Sequence, residues 1–487
     1  MKSLKDILYG VGLTAVTGTT NTMVNSICFD SRKVGMDDVF VAIKGIQTDG
    51  HRYIDQAIAS GAKAIICEVI PERLVNEVTY VEVKDGNTAL AVMASNFYDT
   101  PSKNLKLVGV TGTNGKTTIS SLLYQLFKKA GYKVGLISTI KIMVDNKEYP
   151  TTHTTPDALT INEHLHLMNA VGVEYCFMEV SSHGIHQKRT KGLVFEGAIF
   201  TNLSHDHLDY HKTFAEYRDT KKILFDELPK KAFALTNIDD KNGLVMLQNT
   251  HARKYTYALK NYADYRCQIL ESQFDGQLLK INEHELWTKL IGHFNAYNIL
   301  AIYATAELLG QEKFETLRLL SELDNVDGRF QYFVSKERIT AIVDYAHTPD
   351  ALKNVLETIG TLRTGNENVI TVVGCGGDRD RSKRPVMGHI ASEMSNRAIF
   401  TSDNPRTESP SAIIEEMEAG VEPQNKKKVL SIENRRQAIK AACQMAVAHD
   451  IILVAGKGHE TYQETKGTRI DFDDFKIVKE LLEALEK

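Results

Sequence analysis

The chain has 487 residues, 43% of them hydrophobic and 25% charged, with a formal net charge of −4 at pH 7. That length exceeds what one hydrophobic core serves and predicts roughly three domains, while the small net charge argues against a broad nucleic-acid surface, which needs a basic excess. Six scattered cysteines (Cys28, Cys67, Cys176, Cys267, Cys375, Cys443) form no CxxC pair and read as reduced thiols of a cytoplasmic protein.

The first residues, MKSLKDILYGVG, lack the apolar core of a secretory signal. No apolar run approaches the ~20 residues that span a bilayer, so no membrane insertion is expected. Up to residue 100, short β-rich runs alternate with turns: SICFDSR, DVFVAIKG, AKAIICE and VTYVEV. Helical stretches such as RYIDQAIASGA separate some of them, which predicts a small α/β unit. YDTPSKN, around Thr100 and Pro101, reads as a linker.

A strand from Leu105 to Val110 then leads into a glycine-rich loop, and Lys116 to Ala130 has helical apolar spacing that stops at Gly131. YKVGLIST, a helix opened by Thr155-Pro156, and the strands YCFMEV and GAIFTNL follow. This alternation predicts a doubly wound parallel sheet. Past Gly328 the pattern restarts with ITAIVDYAH, a helix from Asp350, NVITVVGCGG, another helix, AIFTSDNPR and DIILVAGKGHE, a second, independent α/β domain.

VGVTGTNGKTT, Val108 to Thr118, carries the strongest chemical signal. Backbone N–H groups at a helix start, aligned with the helix dipole, hold phosphate oxygens. Lys116 then pairs with the β- and γ-phosphates, and the Thr117 hydroxyl suits Mg²⁺. Val110 stands where GxxxxGK[ST] has its first glycine, but the shorter GTNGKTT form lies correctly between strand and helix. Nucleotide binding is the expectation, and a glycine turn without ligand is the bland alternative.

Glu179, in MEVSSHG at the carboxyl end of a strand, is a hard-oxygen candidate for Mg²⁺; a surface glutamate is the alternative. TNLSHDHLDYH follows, with His205, His207 and His211. Zinc is a rival reading, although no HExxH helix is present. We read His207 as a second-metal or phosphate contact and the other two as loop histidines. Lys221 lies on a helix, where a lysine is ordinarily part of a solvated face.

Together GTNGKTT, MEVSSHG, SHDHLDYH, the helix bearing Lys221, GHFNAYN, DGRF and DYAHTPD resemble the Mur ligase family along nearly the whole chain. Folylpolyglutamate synthases share part of the set. The resemblance implies an α/β fold of three domains: residues 1–100 for the UDP-sugar, 101–332 a P-loop ATPase, and 333–487 a Rossmann-like domain for the amino acid. It implies an ATP-dependent ligase that forms an amide through an acyl phosphate. Gly112, Thr113, Asn114, Gly115, Lys116, Thr117 and Thr118, with Asn295, Arg329, Asp344 and His347, are the implied nucleotide contacts. Thr117, Glu179, His207 and Lys221 are the implied ligands of two Mg²⁺ ions. Lys221 matches the family's carbamylated lysine, which reverses its bland reading because a carbamate is an oxygen ligand; Lys116, Lys221 and His207 are the implied catalytic groups.

FDSRKV and GIQTDG are similar to the uridine-binding loops of members that add the third amino acid. The resemblance implies Ser31, His153, Thr154, Thr155, Ser181, Gln187 and Arg189 as contacts of a UDP-N-acetylmuramoyl dipeptide. Ile46 replaces a frequent histidine, and His153 stands where asparagine is common. In the last domain, Arg379 and Arg406 offer planar forks for carboxylates. Asp403, Glu460 and the Asn404 carbonyl can accept from ammonium groups. DNPR, Asp403 to Arg406 with Asn404 and Pro405, together with Gly456 and Glu460, is similar to the motif of members that add meso-diaminopimelate. L-lysine is the alternative; lacking the distal carboxylate, it leaves Arg406 without a partner, at a cost of about 3–5 kcal/mol. A P-loop ATPase or kinase, a zinc hydrolase and an inert nucleotide binder are the rival functions. A monomer is expected.

Overall fold

In the computed structural model, residues 1–487 are described except 46–47, 205 and 207–209. The expectations for His207 and His205, and the departure at Ile46, therefore lie outside the described residues.

Three sheets organise the chain. The first runs in the spatial order Leu13–Thr17, Thr79–Val83, Ala64–Cys67, Val39–Val41, Ile27–Cys28. Its last four strands are mutually parallel, and only the edge strand is antiparallel. The helix Gly86–Phe97 covers one face, and its N-terminus is capped by Asp85, which accepts from the Thr88 amide.

Eleven strands form the central sheet. Val134–Ile137, Tyr175–Glu179, Lys106–Thr111, Gly197–Phe200, Phe233–Asn237 and Arg253–Ala258 lie parallel in that order. Alternate residues along these strands enter two different cores, as a pleated backbone dictates. Val108, Val110 and Phe177 pack with the helices Lys116–Lys129 and His293–Leu308, whereas Leu107, Cys176 and Met178 pack with Ala158–Ala170 and Phe214–Asp226. Lys106–Thr111 sits between Tyr175–Glu179 and Gly197–Phe200, where the chain order reverses. An open α/β sheet leaves its ligand crevice at such a switch point, beyond the carboxyl ends of the strands.

Antiparallel extensions close both edges of this sheet. On one side Ile142–Val144 and Lys147–Tyr149 form a hairpin; on the other Tyr265–Gln273, Gly276–Ile281 and His284–Thr288 form a meander. The helix predicted to open at Thr155-Pro156 starts later, at Ala158. Asp157 is its cap, accepting from the Thr160 amide. Thr155 cannot cap because its hydroxyl donates to the Glu179 carbonyl.

The third sheet has the order Gln331–Val334, Thr340–Asp344, Ile451–Ala455, Val369–Val373, Arg397–Phe400, Val429–Ser431. All but the first strand are parallel. Its two faces pack separately, Ile342, Leu453 and Phe400 in one core and Val343, Val454 and Ile399 in the other.

Candidate active site

The phosphate loop follows the strand Lys106–Thr111, and the helix Lys116–Lys129 begins immediately after Gly115. Gly112 has φ +148 and Gly115 φ +88, both in the region that favours glycine. A Cβ on Gly112 would stand 1.8 Å from the Thr201 hydroxyl, and one on Gly115 2.7 Å from Asn298 Oδ1. The neighbouring strand end holds the loop from beneath. Thr201 Oγ1 donates to the Asn114 carbonyl at 2.6 Å, and the Asn114 amide donates to Asn202 Oδ1 at 2.9 Å. Thr113 shares a hydrogen bond with Tyr217 at 3.2 Å, and Thr118 is buried in the first helical turn.

Two lysines converge on one carbonyl. Lys116 Nζ donates to Gly112 O at 3.0 Å and to Thr113 O at 2.8 Å. Lys221 Nζ donates to the same Gly112 oxygen at 2.9 Å. Lys221 is only 1% exposed and lies 4.6 Å from the centre of the Tyr217 ring. Desolvation, followed by repulsion from Lys116, holds its ammonium well below the ordinary lysine range, with Asp206 opposing. Burial also pushes Lys116 down, against Glu179 and Asp206. The helix of Phe214–Asp226 thus presents Lys221 inward, to the loop, and not to solvent.

Glu179 is fully buried. Its carboxylate accepts from Thr117 Oγ1 at 3.0 Å, from the Thr139 amide at 2.7 Å and from Thr139 Oγ1 at 3.1 Å. Thr139 was not singled out in the sequence; its place just after the YKVGLIS strand was the available signal. Through Thr139 Oγ1, which can accept from the Thr154 hydroxyl at 3.0 Å, the carboxylate is linked to the predicted peptide contacts. The Ser181 amide donates to Thr155 Oγ1, and Arg189 reaches the Thr155 carbonyl at 2.5 Å while gripping Gln187 Oε1 with two nitrogens. The Ser181 hydroxyl accepts from the Gly184 amide and caps a short helix. His153 pairs with Thr152 at 2.9 Å, and its imidazole is pushed down by burial and by Arg189. Ser31 is placed elsewhere, in a 3-10 turn that follows the first sheet's strand Ile27–Cys28, where its hydroxyl donates to Gln56 at 3.1 Å.

The third sheet adds groups to the loop. Arg329 Nη2 donates to Thr117 Oγ1 at 3.0 Å, and its guanidinium stacks 4.4 Å from the Tyr345 ring centre. Asn114 Nδ2 donates to Asp350 Oδ2 at 3.0 Å. Asp344 accepts from the Phe330 amide at 2.6 Å; burial raises its carboxyl to about 6 despite Arg329. His347 is held by the Tyr345 carbonyl at 2.8 Å, and burial lowers it to about 4, so it is a neutral imidazole. Asn295 is buried at the start of the helix His293–Leu308, where its Oδ1 accepts from Asn298, the residue facing Gly115.

These residues suit a nucleotide with Mg²⁺. The loop is a cradle that a single Cβ would fill. Thr117 and Glu179 bring a hydroxyl and a carboxylate within 3.0 Å of each other, a hard-oxygen pair. The buried Arg329 Nε has no hydrogen-bond partner among the described residues, a donor suited to an anion. No cluster of three or more His, Cys, Asp or Glu suited to a metal occurs among the described residues. Mg²⁺ needs none, because it takes one or two carboxylates and completes its shell with phosphate and water.

A second group gathers at the carboxyl ends of the third sheet. Asp403, Asn404, Pro405 and Arg406 follow the strand Arg397–Phe400, and Gly456 follows Ile451–Ala455. Gly456 has φ +117, and a Cβ there would lie 2.5 Å from Asp403 Oδ2. The Pro405 carbonyl lies so close to Gly377 that a Cβ on Gly377 would stand 1.9 Å from its oxygen. Two expectations change. Asn404 Oδ1, expected to accept a substrate ammonium, instead accepts from Lys457 Nζ at 3.0 Å and from the Glu464 amide at 2.9 Å. Arg406, expected to stand unpaired without a substrate carboxylate, donates Nη1 to the Gly377 carbonyl at 2.6 Å. A substrate without that carboxylate therefore leaves less of the guanidinium unsatisfied than an isolated charge implies. Arg379 is exposed and donates to its neighbour's carbonyl at 3.3 Å. Glu460 is pushed up by burial and by Asp403.

Three family models match this chain: the Mur ligase middle domain over residues 110–306, the Mur ligase glutamate ligase domain over 328–458, and the Mur ligase family catalytic domain over 23–98. A UDP-N-acetylmuramoyl-L-alanyl-D-glutamate–2,6-diaminopimelate ligase of Cytophaga hutchinsonii is 54% identical over 485 residues, covering 99% of this chain and 100% of the relative. The ligase of the same name from Bacteroides thetaiotaomicron is 52% identical, covering 98% and 99%. A solved structure titled with that ligase name superposes with a TM-score of 0.69 at 33% identity, covering 100% of this chain and 99% of the other.

Proposed function

The chain belongs to the Mur ligase family, and from that premise we propose that it joins 2,6-diaminopimelate to UDP-N-acetylmuramoyl-L-alanyl-D-glutamate at the expense of ATP, in peptidoglycan precursor synthesis. The relatives named for this reaction match nearly end to end. One observation carries the mechanism: Lys116 and Lys221 meet at the Gly112 carbonyl, and Thr117, in the first helical turn after the loop, is hydrogen-bonded to Glu179 at the end of the neighbouring strand.

The loop amides between Gly112 and Thr118 and the Lys116 ammonium bind the β- and γ-phosphates. The D-glutamyl γ-carboxylate attacks the γ-phosphorus in line, ADP leaves, and the acyl phosphate replaces a carboxylate that has no good leaving group. Thr117 and Glu179 would hold one Mg²⁺. A carbamate on Lys221 would hold the second, with His207 its proposed partner outside the described residues. Bound there, the ions would supply positive charge against that spreading over the phosphoryl oxygens. The carbamate forms when the Lys221 amine, whose ammonium form desolvation disfavours, attacks CO2 and releases one proton. Thr154, Thr155, Ser181, Gln187 and Arg189 position the peptide, with His153 beside them, and Ser31 contacts the uridine end. Asn295, Arg329, Asp344 and His347 line the nucleotide.

The neutral amine of diaminopimelate then attacks the acyl carbon, and phosphate leaves the tetrahedral intermediate. Asp403, Asn404, Pro405, Arg406, Gly456 and Glu460, with Arg379 at the mouth, hold the far end of the amino acid. Closure of the third sheet's domain over the loop excludes water that would hydrolyse the acyl phosphate. The proposal includes a cytoplasmic monomer; no helix among the described residues is long and apolar enough to cross a membrane.

The test supplies ATP, Mg²⁺ and the UDP-linked dipeptide with either diaminopimelate or L-lysine, and follows phosphate and amide. We expect phosphate release coupled to amide formation with diaminopimelate. The expected kcat/KM is about tenfold or more above that for lysine, the discrimination a lost charged hydrogen bond of about 1.5–3 kcal/mol gives. Phosphate release that ignores the amine points to a plain ATPase, and no amide with any amino acid rejects the proposal.

A further inference from the structure

Behind the amino-acid loops lies a cation that the reaction scheme does not use. Lys457 is fully buried. Its Nζ donates to Asn404 Oδ1 at 3.0 Å and to Glu460 Oε2 at 3.0 Å, and stands 5.4 Å from the Tyr462 ring centre. Asn404 Nδ2 closes the triangle by donating to the same Glu460 oxygen at 2.7 Å. Burying an ammonium is costly unless charge and hydrogen bonds repay it, and here both partners belong to the proposed amino-acid pocket.

The triangle has two consequences. It orients the Asn404 amide: with Oδ1 occupied by Lys457 and by the Glu464 amide, the side chain can offer its remaining contact only as an N–H donor. It also sets the charge of the pocket. Asp403 and Glu460 lie close enough for Asp403 to raise the Glu460 carboxyl, so two carboxylates crowd one site. Lys457 cancels one of them, and with Asp403 left for an ammonium and Arg406 for a carboxylate the site matches a group that carries both charges and no net charge.

We propose that Lys457 is a positioning residue that sets amino-acid specificity: by neutralising Glu460 and orienting Asn404 it fits the pocket to a zwitterionic far end, carrying both ammonium and carboxylate, over a purely cationic one. The inference rests on the diaminopimelate reading above, whose far end is zwitterionic, while that of L-lysine is a bare cation. Removing the Lys457 charge leaves the pocket one unit more negative and takes one of the two donors from Asn404 Oδ1, which can then accept from a substrate ammonium, and both changes favour the cation.

The experiment measures kcat/KM for diaminopimelate and for L-lysine in the full-length enzyme, with wild type, Lys457→Met, Lys457→Arg and Glu460→Gln side by side. The expected ratio of diaminopimelate to lysine falls at least tenfold in Lys457→Met. It stays within about threefold of wild type in Lys457→Arg, and rises in Glu460→Gln, where the excess negative charge is removed from the other side. KM for ATP moves less than about twofold in Lys457→Met. A ratio unchanged in Lys457→Met, or a loss of rate with both amino acids in proportion, overturns the inference and leaves Lys457 a structural group. Should Lys457→Met not fold, Glu460→Gln decides, and a ratio there that is flat or falls overturns it equally. Wild type is the control for the reading beneath: amide formation with diaminopimelate keeps that reading whatever the variants do, and its absence rejects the reading itself.

Discussion

Burial sets the chemistry of Lys221 at the residue scale. An amine that is 1% exposed and beside a second lysine loses the hydration that favours its charged form. The neutral amine is the form that reacts with CO2, so this desolvation favours the carbamate proposed for the group. Lys221→Ala is predicted to retain less than about 1% of wild-type amide formation and to recover part of it with added short carboxylates. Removal of one ligand and charge stabiliser at such a site costs about 2.7–4 kcal/mol. Full activity of the variant without additive removes the carbamate from the mechanism.

Asp344 shows the same force acting on an acid. Its folded-state value of about 6 lies above the 3.8 of the free carboxyl, because desolvation outweighs Arg329 and the Phe330 amide. The folded state therefore binds the proton more tightly than the unfolded state. Stability is greatest below about 4 and is lost as pH rises through 6, by about 3 kcal/mol in total. Asp344→Asn keeps an acceptor for the Phe330 amide and cannot ionise. It should melt several degrees above wild type at pH 8, with the gap closing by pH 4, while its KM for ATP rises because the carboxylate is proposed to line the nucleotide. Melting curves at the two pH values decide the matter, and a gap independent of pH contradicts it.

At the element scale the phosphate loop is a strand, a turn and a helix whose geometry leaves Gly112 no alternative residue. Its φ of +148 and the Thr201 hydroxyl 1.8 Å from an added Cβ force any side chain to displace the loop. Gly112→Ala is predicted to raise KM for ATP at least tenfold, about 1.4 kcal/mol, with little change in far-UV circular dichroism, since the strand and helix on either side are held in one shared core away from the loop. An unchanged KM means that the loop does not cradle phosphate. Sequence periodicity missed the antiparallel meander and, with it, the parallel strands Phe233–Asn237, Arg253–Ala258 and Val429–Ser431. The meander Tyr265–Gln273, Gly276–Ile281, His284–Thr288 mixes exposed and buried positions with a register shift between Ile269 and Glu271, so its alternation is broken. The buried strands Lys106–Thr111 and Tyr175–Glu179 stand out as continuous apolar runs because both faces are covered.

Over the whole molecule, the second and third sheets bring their loops together. Arg329 reaches Thr117 and Asp350 reaches Asn114 across the second and third sheets. These contacts join residues 212 and 236 positions apart, a separation that local patterning cannot register. Read along the chain, Lys221 belongs to a solvated helix face and only a family resemblance implies otherwise; in three dimensions its helix turns it inward, onto the Gly112 carbonyl.

What the amino-acid order determined by itself was local: where apolar strands end, where glycines permit a phosphate loop, and where a helix begins after Gly115, because these depend on residues a few positions apart. What only the tertiary structure decided was partnership. Glu179 is shared by Thr117 and Thr139, the Asn404 carbonyl is claimed by Lys457, and two lysines bear on one carbonyl. Charge and hydrogen bonding act over a few ångströms of space, and folding, not sequence spacing, sets that distance.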